Sequence, residues 1–458
     1  ISFDEYSIDS NFPGMSCIVT FDLDNDGDLD IIGGSEYTPH TPYSGLAWWR
    51  NEGGEPLTWT RFTIDPSFEN VMSVDVSDID DDGFPDITAT SWNDHVIAWY
   101  KNSGDPCFLW MKRIVVSSFT NAHDAECTDI DQDGDVDLVG INSTPGSVIV
   151  CYSNGASPPA WTIQTVSSSF AGGKSVSPLD FDHDGDTDIV GCAMDAHALA
   201  WWENQGGSPA SWAYHLISSS MLGCIDIDLV YMNDDSLYDV LVVDGTANAV
   251  YCFMCVDLAA GQWTKRLVAY PLDLANNVRG RDFDQDGDID VVAVGKIPGQ
   301  LSLYENTGTT WHASSLRSNY LGGWALACDD MNGDGLIDIV AGASALGDLD
   351  LYENSSIITA TGPAPVACFH LYQNWPNPFN PVTTISFDLS QASHVKLSIY
   401  DVSGRLVSVV LDEYRAAGYY TERWNGLNSR GIRESSGVYF LNMAAGGRVE
   451  TKKMVLLR

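Results

Sequence analysis

Short apolar stretches, rich in β-branched and aromatic residues, alternate along most of the chain with breaks of Gly, Asn, Asp and Ser. Stretches of this kind, bounded by turn residues, predict β-strands. In one unit of the pattern we predict strands at Met72–Ser77, Asp86–Thr90, Val96–Tyr100 and Trp110–Val116. No helical period is sustained, so the pattern predicts a protein that is nearly all β.

The strand pattern recurs in register with a nine-residue motif, D-x-D-x-D-G-D-x-D. Six tryptophans keep the same phase, each 19 residues before a motif, and four strands in such a period are typical of a propeller blade. The sequence therefore predicts a seven-bladed β-propeller. The seven copies end at Asp30, Asp86, Asp137, Asp188, Asp239, Asp290 and Asp338, with gaps of 56, 51, 51, 51, 51 and 48 residues, and the tryptophans are Trp59, Trp110, Trp161, Trp212, Trp263 and Trp311.

The first and last repeats differ in a way that predicts ring closure. Counting back 19 residues from Asp22 gives Phe3, whereas no matching aromatic residue follows the seventh motif before Gly362. We therefore predict that Ile1–Ile8 forms the outer strand of blade seven, beside Asp348–Tyr352. Pairing the two ends of the ring removes an exposed sheet edge. The constant place of the tryptophans at a strand start favours packing between blades over a sugar-binding platform.

The chain is strongly acidic, with 63 Asp and Glu residues against 22 Lys and Arg residues and a net charge of −41. This balance excludes ordinary binding to the phosphate backbone of nucleic acids, which needs basic residues. Because 28 of the acidic residues lie within six motif copies, the charge is concentrated in loops. No apolar run reaches the roughly 18 residues of a transmembrane helix, so we predict no membrane-spanning segment.

The motif loops carry the chemistry of a calcium site. Several carboxylates in one tight loop repel one another unless a cation lies between them, and Ca²⁺ takes about six to eight oxygen ligands. We assign side-chain oxygens to motif positions 1, 3, 5 and 9, a backbone carbonyl to position 7, and the sharp turn to glycine at position 6. A strand rather than a helix follows each loop, which argues against an EF-hand.

Six of the seven loops meet these requirements, and we expect the ions to be structural. The fifth copy, YMNDDSLYD (231–239), carries Tyr231 in place of the first aspartate and Ser236 in place of glycine, so we predict weak or no calcium binding there. The predicted ligands are Asp22, Asp24, Asp26, Asp28 and Asp30; Asp78, Asp80, Asp82, Phe84 and Asp86; Asp129, Asp131, Asp133, Asp135 and Asp137; Asp180, Asp182, Asp184, Asp186 and Asp188; Asp282, Asp284, Asp286, Asp288 and Asp290; and Asp330, Asn332, Asp334, Leu336 and Asp338.

These six copies, among them DLDNDGDLD (22–30), DIDQDGDVD (129–137) and DFDQDGDID (282–290), resemble the calcium-binding FG-GAP repeats of integrin α-subunit propellers and the bacterial VCBS-type repeats. The resemblance covers residues 1–355. It implies that Ca²⁺ is the cofactor and that each ion lies in the loop between the first and second strands of a blade.

The composition changes after residue 355, and we predict a linker over residues 356–367 and a small immunoglobulin-like β-sandwich over residues 368–458. Its segments LYQNWPNPFNP (371–381), KLSIYDVSGRLV (396–407) and KKMVLLR (452–458) resemble the C-terminal sorting domain of type IX secretion cargo, which is related to flagellar hook-capping proteins. The resemblance implies the type IX secretion machinery as a partner. It also implies an extracellular or outer-surface location on a Gram-negative-type bacterium, after removal of a signal peptide.

Ten cysteines leave two interpretations open, because an even number in an exported protein permits disulfides while several align with apolar strand positions of other repeats. Cys252-x-x-Cys255 is a weak signal for a redox or metal site.

A ligand site is a second open question, because loops on the predicted face opposite the motifs carry His, Trp and charged residues. They could bind a glycan or support proton abstraction, but no fixed spacing links them, so we favour ordinary loop residues and assign no catalytic group. Nucleophile-elbow, zinc, P-loop and dinucleotide motifs are absent. The residues are Tyr37, His40 and Tyr43 within Ser35–Ser44, with Trp92, His95, His123, Asp124, Lys174, His197, Arg279 and Trp324.

Three functions therefore remain. The first is a secreted, calcium-binding structural or adhesion protein, which could form a homo-oligomer or filament through its C-terminal domain or by donating Ile1–Ile8 to a neighbour. The second is a lectin that binds a glycan or another surface ligand. The third is a polysaccharide lyase or hydrolase.

Overall fold

The computed structural model describes residues 1–356 except 37–44, 105–109, 234, 236 and 309. In the C-terminal part it describes residues 369–456 except 372–373, 375–376, 378, 380–382, 390–392, 403, 416–417, 429, 431, 434 and 446–447. These residues form 35 strands in two compact units. In the part of the chain so described, no helix is long and apolar enough to cross a membrane.

The first unit consists of seven four-stranded antiparallel sheets, one per repeat, as the sequence predicts. Their strands are, in blade one, β2 Met15–Phe21, β3 Asp30–Ser35, β4 Leu46–Asn51 and β5 Trp59–Asp65; in blade two, β6 Val71–Ser77, β7 Asp86–Ser91, β8 Val96–Lys101 and β9 Met111–Val116; in blade three, β10 Ala122–Thr128, β11 Asp137–Asn142, β12 Val148–Tyr152 and β13 Thr162–Ser167; in blade four, β14 Gly173–Leu179, β15 Asp188–Ala193, β16 Ala198–Asn204 and β17 Trp212–Ser218; in blade five, β18 Cys224–Val230, β19 Asp239–Asp244, β20 Ala249–Asp257 and β21 Gln262–Ala269; in blade six, β22 Ala275–Arg281, β23 Asp290–Gly295, β24 Gln300–Asn306 and β25 Trp311–Ser318; and in blade seven, β26 Gly323–Asp329, β27 Asp338–Ala343 and β28 Asp348–Asn354, completed by β1 Phe3–Asp9.

The ring is closed by the N-terminal strand. Strand β1 pairs antiparallel with β28, with Phe3 opposite Asn354 and Tyr6 opposite Leu351. The first strands of successive blades contact one another around a central channel, and β26 of blade seven contacts β2 of blade one. The predicted seven-bladed propeller closed by its own N-terminal segment is therefore confirmed.

Apolar side chains fill the spaces between adjacent blades. Between blades seven and one, for example, Ile31 and Trp49 pack with Val340 and Leu351, and Trp59 covers this cluster while partly buried. The other five phased tryptophans and Phe3 pack against equivalent clusters in the same way. The phased aromatic residues thus belong to the core between blades, as the sequence predicts.

The second unit contains two antiparallel sheets that share one apolar core. Along one strand Ile385, Phe387 and Leu389 are buried at alternate positions, and in the other sheet Leu397 and Ile399 alternate in the same way. This is the alternation expected of a β-sandwich. The three-stranded sheet has the order β29 Phe369–Leu371, β30 Thr383–Leu389 and β33 Gly418–Trp424, and the four-stranded sheet has the order β32 Leu406–Arg415, β31 Ser393–Asp401, β34 Gly437–Ala445 and β35 Arg448–Leu456.

The eight described cysteines are free thiols, six of them buried, and Cys107 and Cys368 lie outside the described residues. Burial raises the pKa of the Cys252 thiol, and it raises the pKa of Cys255 to about 11. Because the thiolate is the reactive and metal-binding form, these two residues behave as small apolar core residues.

Candidate functional site

Each motif copy lies between the first and second strands of its blade, as the resemblance implies. In blade one the loop follows β2 and its last residue, Asp30, begins β3. Asn25 at position 4 and Gly27 at position 6 have φ values of 60° and 99°. A left-handed conformation at position 6 strains any residue with a Cβ atom, which explains the glycine there.

Backbone N–H groups hold the carboxylates of positions 1 and 5 in place. In blade one the two oxygens of Asp22 accept hydrogen bonds from the N–H groups of Asp26 and Gly27, both at 3.0 Å. Asp26 in turn accepts one from the N–H of Asp28, also at 3.0 Å. The loop is therefore shaped by its own hydrogen bonds.

Position 9 has a structural role that is common to all seven repeats. Asp30 is fully buried, and its two oxygens accept hydrogen bonds from the N–H groups of Leu23 at 3.1 Å and Asn51 at 2.8 Å. This carboxylate therefore ties the motif loop to the end of the third strand. The same pair of bonds is made by Asp86, Asp137, Asp188, Asp239, Asp290 and Asp338.

Carboxylates from positions 1, 3 and 9 converge in five loops, where one oxygen from each lies within 4.8 Å of the others. In the last loop position 3 is Asn332, which carries an amide in place of the carboxylate. Position 5 lies outside these groups, and position 7 includes Phe84 and Leu336, whose side chains carry no ligand oxygen. The five groups are Asp22, Asp24 and Asp30; Asp78, Asp80 and Asp86; Asp129, Asp131 and Asp137; Asp180, Asp182 and Asp188; and Asp282, Asp284 and Asp290.

The donor set fits a hard cation. One buried carboxylate oxygen in each of three loops, on Asp24, Asp80 and Asp180, has no hydrogen-bond partner among the described residues. Burial raises the pKa of Asp24, and repulsion from Asp26 raises it further. A buried oxygen without a donor is costly, and an oxygen-binding ion such as Ca²⁺ would satisfy it.

The fifth loop replaces this arrangement with aromatic packing. Tyr231 stacks on Tyr238 with ring centroids 4.4 Å apart, and His183 of the preceding loop lies 5.3 Å from Tyr238. The described residues of this loop form no carboxylate group of the kind seen in the other five. Asp239 still accepts both backbone hydrogen bonds. The position-9 carboxylate of this loop therefore supports the fold through its hydrogen bonds, independently of a metal ion.

A charged residue beside five of the seven loops was missed in the sequence analysis. It immediately precedes the residue whose N–H binds position 9, and it is Arg50, Lys101, Glu203, Glu305 and Glu353 in blades one, two, four, six and seven. The Lys101 ammonium contacts Asp80 and lies 2.5 Å from Asp82. Glu203, by contrast, adds to the negative charge around Asp182. The repeat spacing of this position, 51 residues from Arg50 to Lys101, is the sequence signal that could have revealed it.

We expect Lys101→Met to tighten calcium binding by the loop of blade two at least about tenfold. The internal ammonium competes with a bound cation, and a nearby unit charge at the protein surface interacts by roughly 4 kcal/mol at 4 Å before screening by salt. Calorimetric titration of the lowest-affinity sites checks this. Lys112→Met, which removes an ion pair with Asp65 outside the loops, is the control and should leave the titration unchanged. Equal affinity in both variants would contradict the competition.

Metal-free protein should become less stable as the pH rises. Burial raises the pKa of the position-9 aspartates to about 7 in five blades, to about 6 for Asp239 and to about 8 for Asp290. Their unfolded pKa is about 3.9, so the folded state binds more protons, and the stability gained below pH 4 is lost as the pH passes through 6 to 8. Thermal unfolding of metal-depleted protein between about pH 5 and 8 measures this; a rising melting temperature would oppose it. Saturating calcium should flatten the profile.

The other candidate residues divide into two groups. His95 and His197 are left-handed turn residues, with φ of 60° and 53°. Asp124 accepts the N–H of Val176 at 3.0 Å, so it joins two blades inside the channel. Tyr37, His40 and Tyr43 lie outside the described residues, and Arg279 binds Asp226 at 2.9 Å.

The second group gathers at the end of the channel opposite the motif loops. Trp92 and His123 have ring centroids 5.9 Å apart, and the Lys174 ammonium lies 5.2 Å from the Trp92 ring centroid. Trp324 is the second residue of β26, just as His123 is the second residue of β10 and Lys174 that of β14. We call this region the channel mouth.

The repeats match a known family. The FG-GAP-like repeat model matches residues 22–89, 78–140, 129–191 and 282–341, which together span half of the chain. The chain belongs to the FG-GAP-like repeat family. The matches begin at the first aspartate of a motif, and none covers the degenerate FG-GAP copy at 231–239.

The C-terminal unit of this FG-GAP protein is a sorting domain of the type IX secretion system. The secretion system C-terminal sorting domain model matches residues 373–457. The domain directs the protein to the cell surface or the extracellular space and associates it with that secretion system. Among curated proteins, none matches the chain.

Solved structures share the fold at low identity. PorZ, an essential bacterial surface component of the type-IX secretion system of Porphyromonas gingivalis, is 14% identical with a TM-score of 0.48 over 98% of this chain and 60% of its own, so the FG-GAP protein spans about 60% of that relative. BBS1N in complex with ARL6DN is 14% identical with a TM-score of 0.52 over 80% of this chain and 98% of its own. A fungal alcohol oxidase of the AA5 family, in complex with copper, is 12% identical with a TM-score of 0.50 over 99% of both chains. The last two show a shared fold alone.

Proposed function

We propose that the chain is a calcium-binding structural or adhesion protein of the cell surface, with Ca²⁺ in six of its seven motif loops. The observation that carries this is the convergence of carboxylates from positions 1, 3 and 9, with buried oxygens that lack a donor. The domain arrangement that goes with it is a propeller over residues 1–355, a linker over 356–367 and the sorting domain over 368–458.

The ions would act on stability rather than on a substrate. Side chains of positions 1, 3, 5 and 9 and the carbonyl of position 7 would hold each ion, which leaves little room for a further ligand. Six ions would bring twelve positive charges and change the net charge from −41 to −29. Binding to the folded state alone stabilises that state by mass action.

Self-assembly is part of this proposal, and strand donation is its most specific form. In the structure β1 pairs with β28 of its own chain, so donation to a neighbour requires β1 to leave that pairing. A filament would therefore depend on concentration and on opening of blade seven. Light scattering with calcium and after chelation distinguishes the two states.

Adhesion is tested by adding the purified chain to cells that lack it. We expect saturable, calcium-dependent binding, and at least tenfold weaker binding for a variant with Asp→Asn at position 1 of the loops in blades one to four. Lys112→Met serves as the surface-charge control. Binding that is equally strong in calcium and in chelator would contradict a calcium-dependent adhesive role.

A further inference from the structure

The channel mouth holds two lysines whose ammonium groups lie over tryptophan rings. The Lys296 ammonium lies 3.0 Å from the ring centroid of Trp324, and Lys174 lies over Trp92 in a similar way. Glu36 favours the charged form of Lys296 and Asp195 that of Lys174, but among the described residues neither carboxylate forms an ion pair with its lysine. In a chain with 63 acidic and 22 basic residues, two lysines without an ion pair at one end of the channel are conspicuous.

The positive charges of the two ammonium groups repel each other. Burial lowers the pKa of Lys296 to about 8; Lys174 lowers it further, and Glu36 acts in the other direction. Burial and both lysines keep the neighbouring His123 neutral by lowering its pKa. Partly buried like charges are costly, and an anion near both ammonium groups would add to the favourable effect of Glu36 and Asp195.

A cavity of about 130 Å³ is lined by Lys174 and by Trp324, the ring under Lys296. One water molecule needs roughly 10–15 Å³ of such space, so the cavity suits a group of about ten non-hydrogen atoms rather than a polymer chain. Its walls include Lys174, Ser73, Trp324 and Asn277. The buried side-chain oxygen of Asn277 has no hydrogen-bond donor in the described part of the chain. A hydroxyl group of a ligand would supply the donor that this oxygen lacks.

Carboxylates, which accept hydrogen bonds, line the deeper part of the cavity. Asp124, Glu126 and Asp226 line the cavity below the lysines. Their negative charge repels a second anionic group, but their oxygens accept hydrogen bonds from hydroxyl groups. A ligand that fits must therefore carry one anionic group at its outer end and hydroxyl groups at its inner end, with an apolar face for the tryptophans.

We propose that the channel mouth binds a single carboxylated sugar residue, a uronate, at the end of a glycan. Its carboxylate would lie between Lys174 and Lys296, its hydroxyl groups would donate to Asn277 and to the deeper carboxylates, and Trp324 would contact the ring. This inference rests on the adhesive role proposed above, to which it adds a ligand class. Polyanions such as nucleic acids do not fit, because the acidic channel and the net charge of −41 repel them.

Calorimetry on the full chain in calcium tests this with methyl glucuronide, methyl glucoside and acetate as probes. We expect saturable binding of the glucuronide, at least tenfold weaker binding of the glucoside, and no measurable binding of acetate. The double variant Lys174→Met/Lys296→Met should lose at least tenfold in affinity for the glucuronide. Lys265→Met is the matched control, because its ammonium lies over the Tyr251 ring at 3.6 Å away from the channel mouth.

Three results would overturn the proposal: no saturable binding of the glucuronide, equal affinity for glucuronide and glucoside, or equal affinity of the double variant and the parent chain. Thermal unfolding of each variant with and without calcium establishes that it is folded. It also separates the two proposals. A normal calcium response without glucuronide binding overturns only the uronate site, whereas glucuronide binding without a calcium response overturns only the role of the ions.

Discussion

Removing calcium from the purified chain will lower the melting temperature of the propeller by roughly 10 °C or more. A site held at 100 times its dissociation constant contributes about 2.7 kcal/mol to the folded state, and several sites act on one ring. In domains of 150–250 residues, each kcal/mol moves the melting temperature by about 2–4 °C. Without the ions, the converging carboxylates repel one another, and oxygens such as Asp24 Oδ1 stay buried without a donor.

Differential scanning calorimetry in excess calcium and in chelator measures this shift. Magnesium at the same concentration is the control for general charge screening, and it should restore little, because it demands a tighter octahedral site. The sorting domain carries none of the motif loops, so its own transition should stay in place. A propeller transition at the same temperature in calcium and chelator would contradict a stabilising role for the loops.

Asp239→Ala will destabilise the propeller by roughly 2–6 kcal/mol without changing the number of bound ions. The substitution leaves the N–H groups of Met232 and Cys255 buried without an acceptor, and each such loss costs about 1–3 kcal/mol. Since the described residues of the fifth loop form no converging carboxylate group, we expect the loss to be structural only. Urea unfolding and a calcium count on the same sample check both parts.

Two further variants make this result specific. Asp235→Ala, in the same loop, removes an exposed carboxylate whose hydrogen bond to Leu237 is local, and it should cost much less. Asp188→Ala, at position 9 of an intact loop, should lose the stability and one calcium ion together. An Asp239→Ala variant as stable as the parent chain would show that position 9 acts through metal binding alone.

Much of the propeller could be predicted because each blade repeats the same local pattern. The phase of Phe3 relative to Asp22 was enough to predict that the first strand completes blade seven, and the pairing of Phe3 with Asn354 confirms it. Strand boundaries differ from the prediction by a residue or so, as at Trp110, which precedes β9 rather than beginning it. Repeat spacing fixes a register, whereas hydrogen bonding at strand ends depends on the neighbouring loop.

The candidate sites were predictable only in part. The spacing of the motif predicts the convergence of positions 1, 3 and 9, but the double hydrogen bond of position 9 depends on the end of the third strand. The position of Lys101 recurs in other blades with the repeat spacing, but its charge differs between blades, so the aspartate pattern obscured it. His123, Lys174 and Trp324 share the second position in the first strands of blades three, four and seven, but the residue type differs between blades, and only closure of the ring brings them to one end of the channel.

The number of calcium ions on the native chain, measured by native mass spectrometry after exchange into calcium, tests the assignment of the loops. We expect six ions, falling by one with Asp180→Asn/Asp182→Asn in blade four and staying at six with the matched pair Asn233→Ala/Asp235→Ala in the degenerate loop. A chain that carries no calcium, or one whose count ignores the substitutions in blade four, would contradict the assignment of the loops.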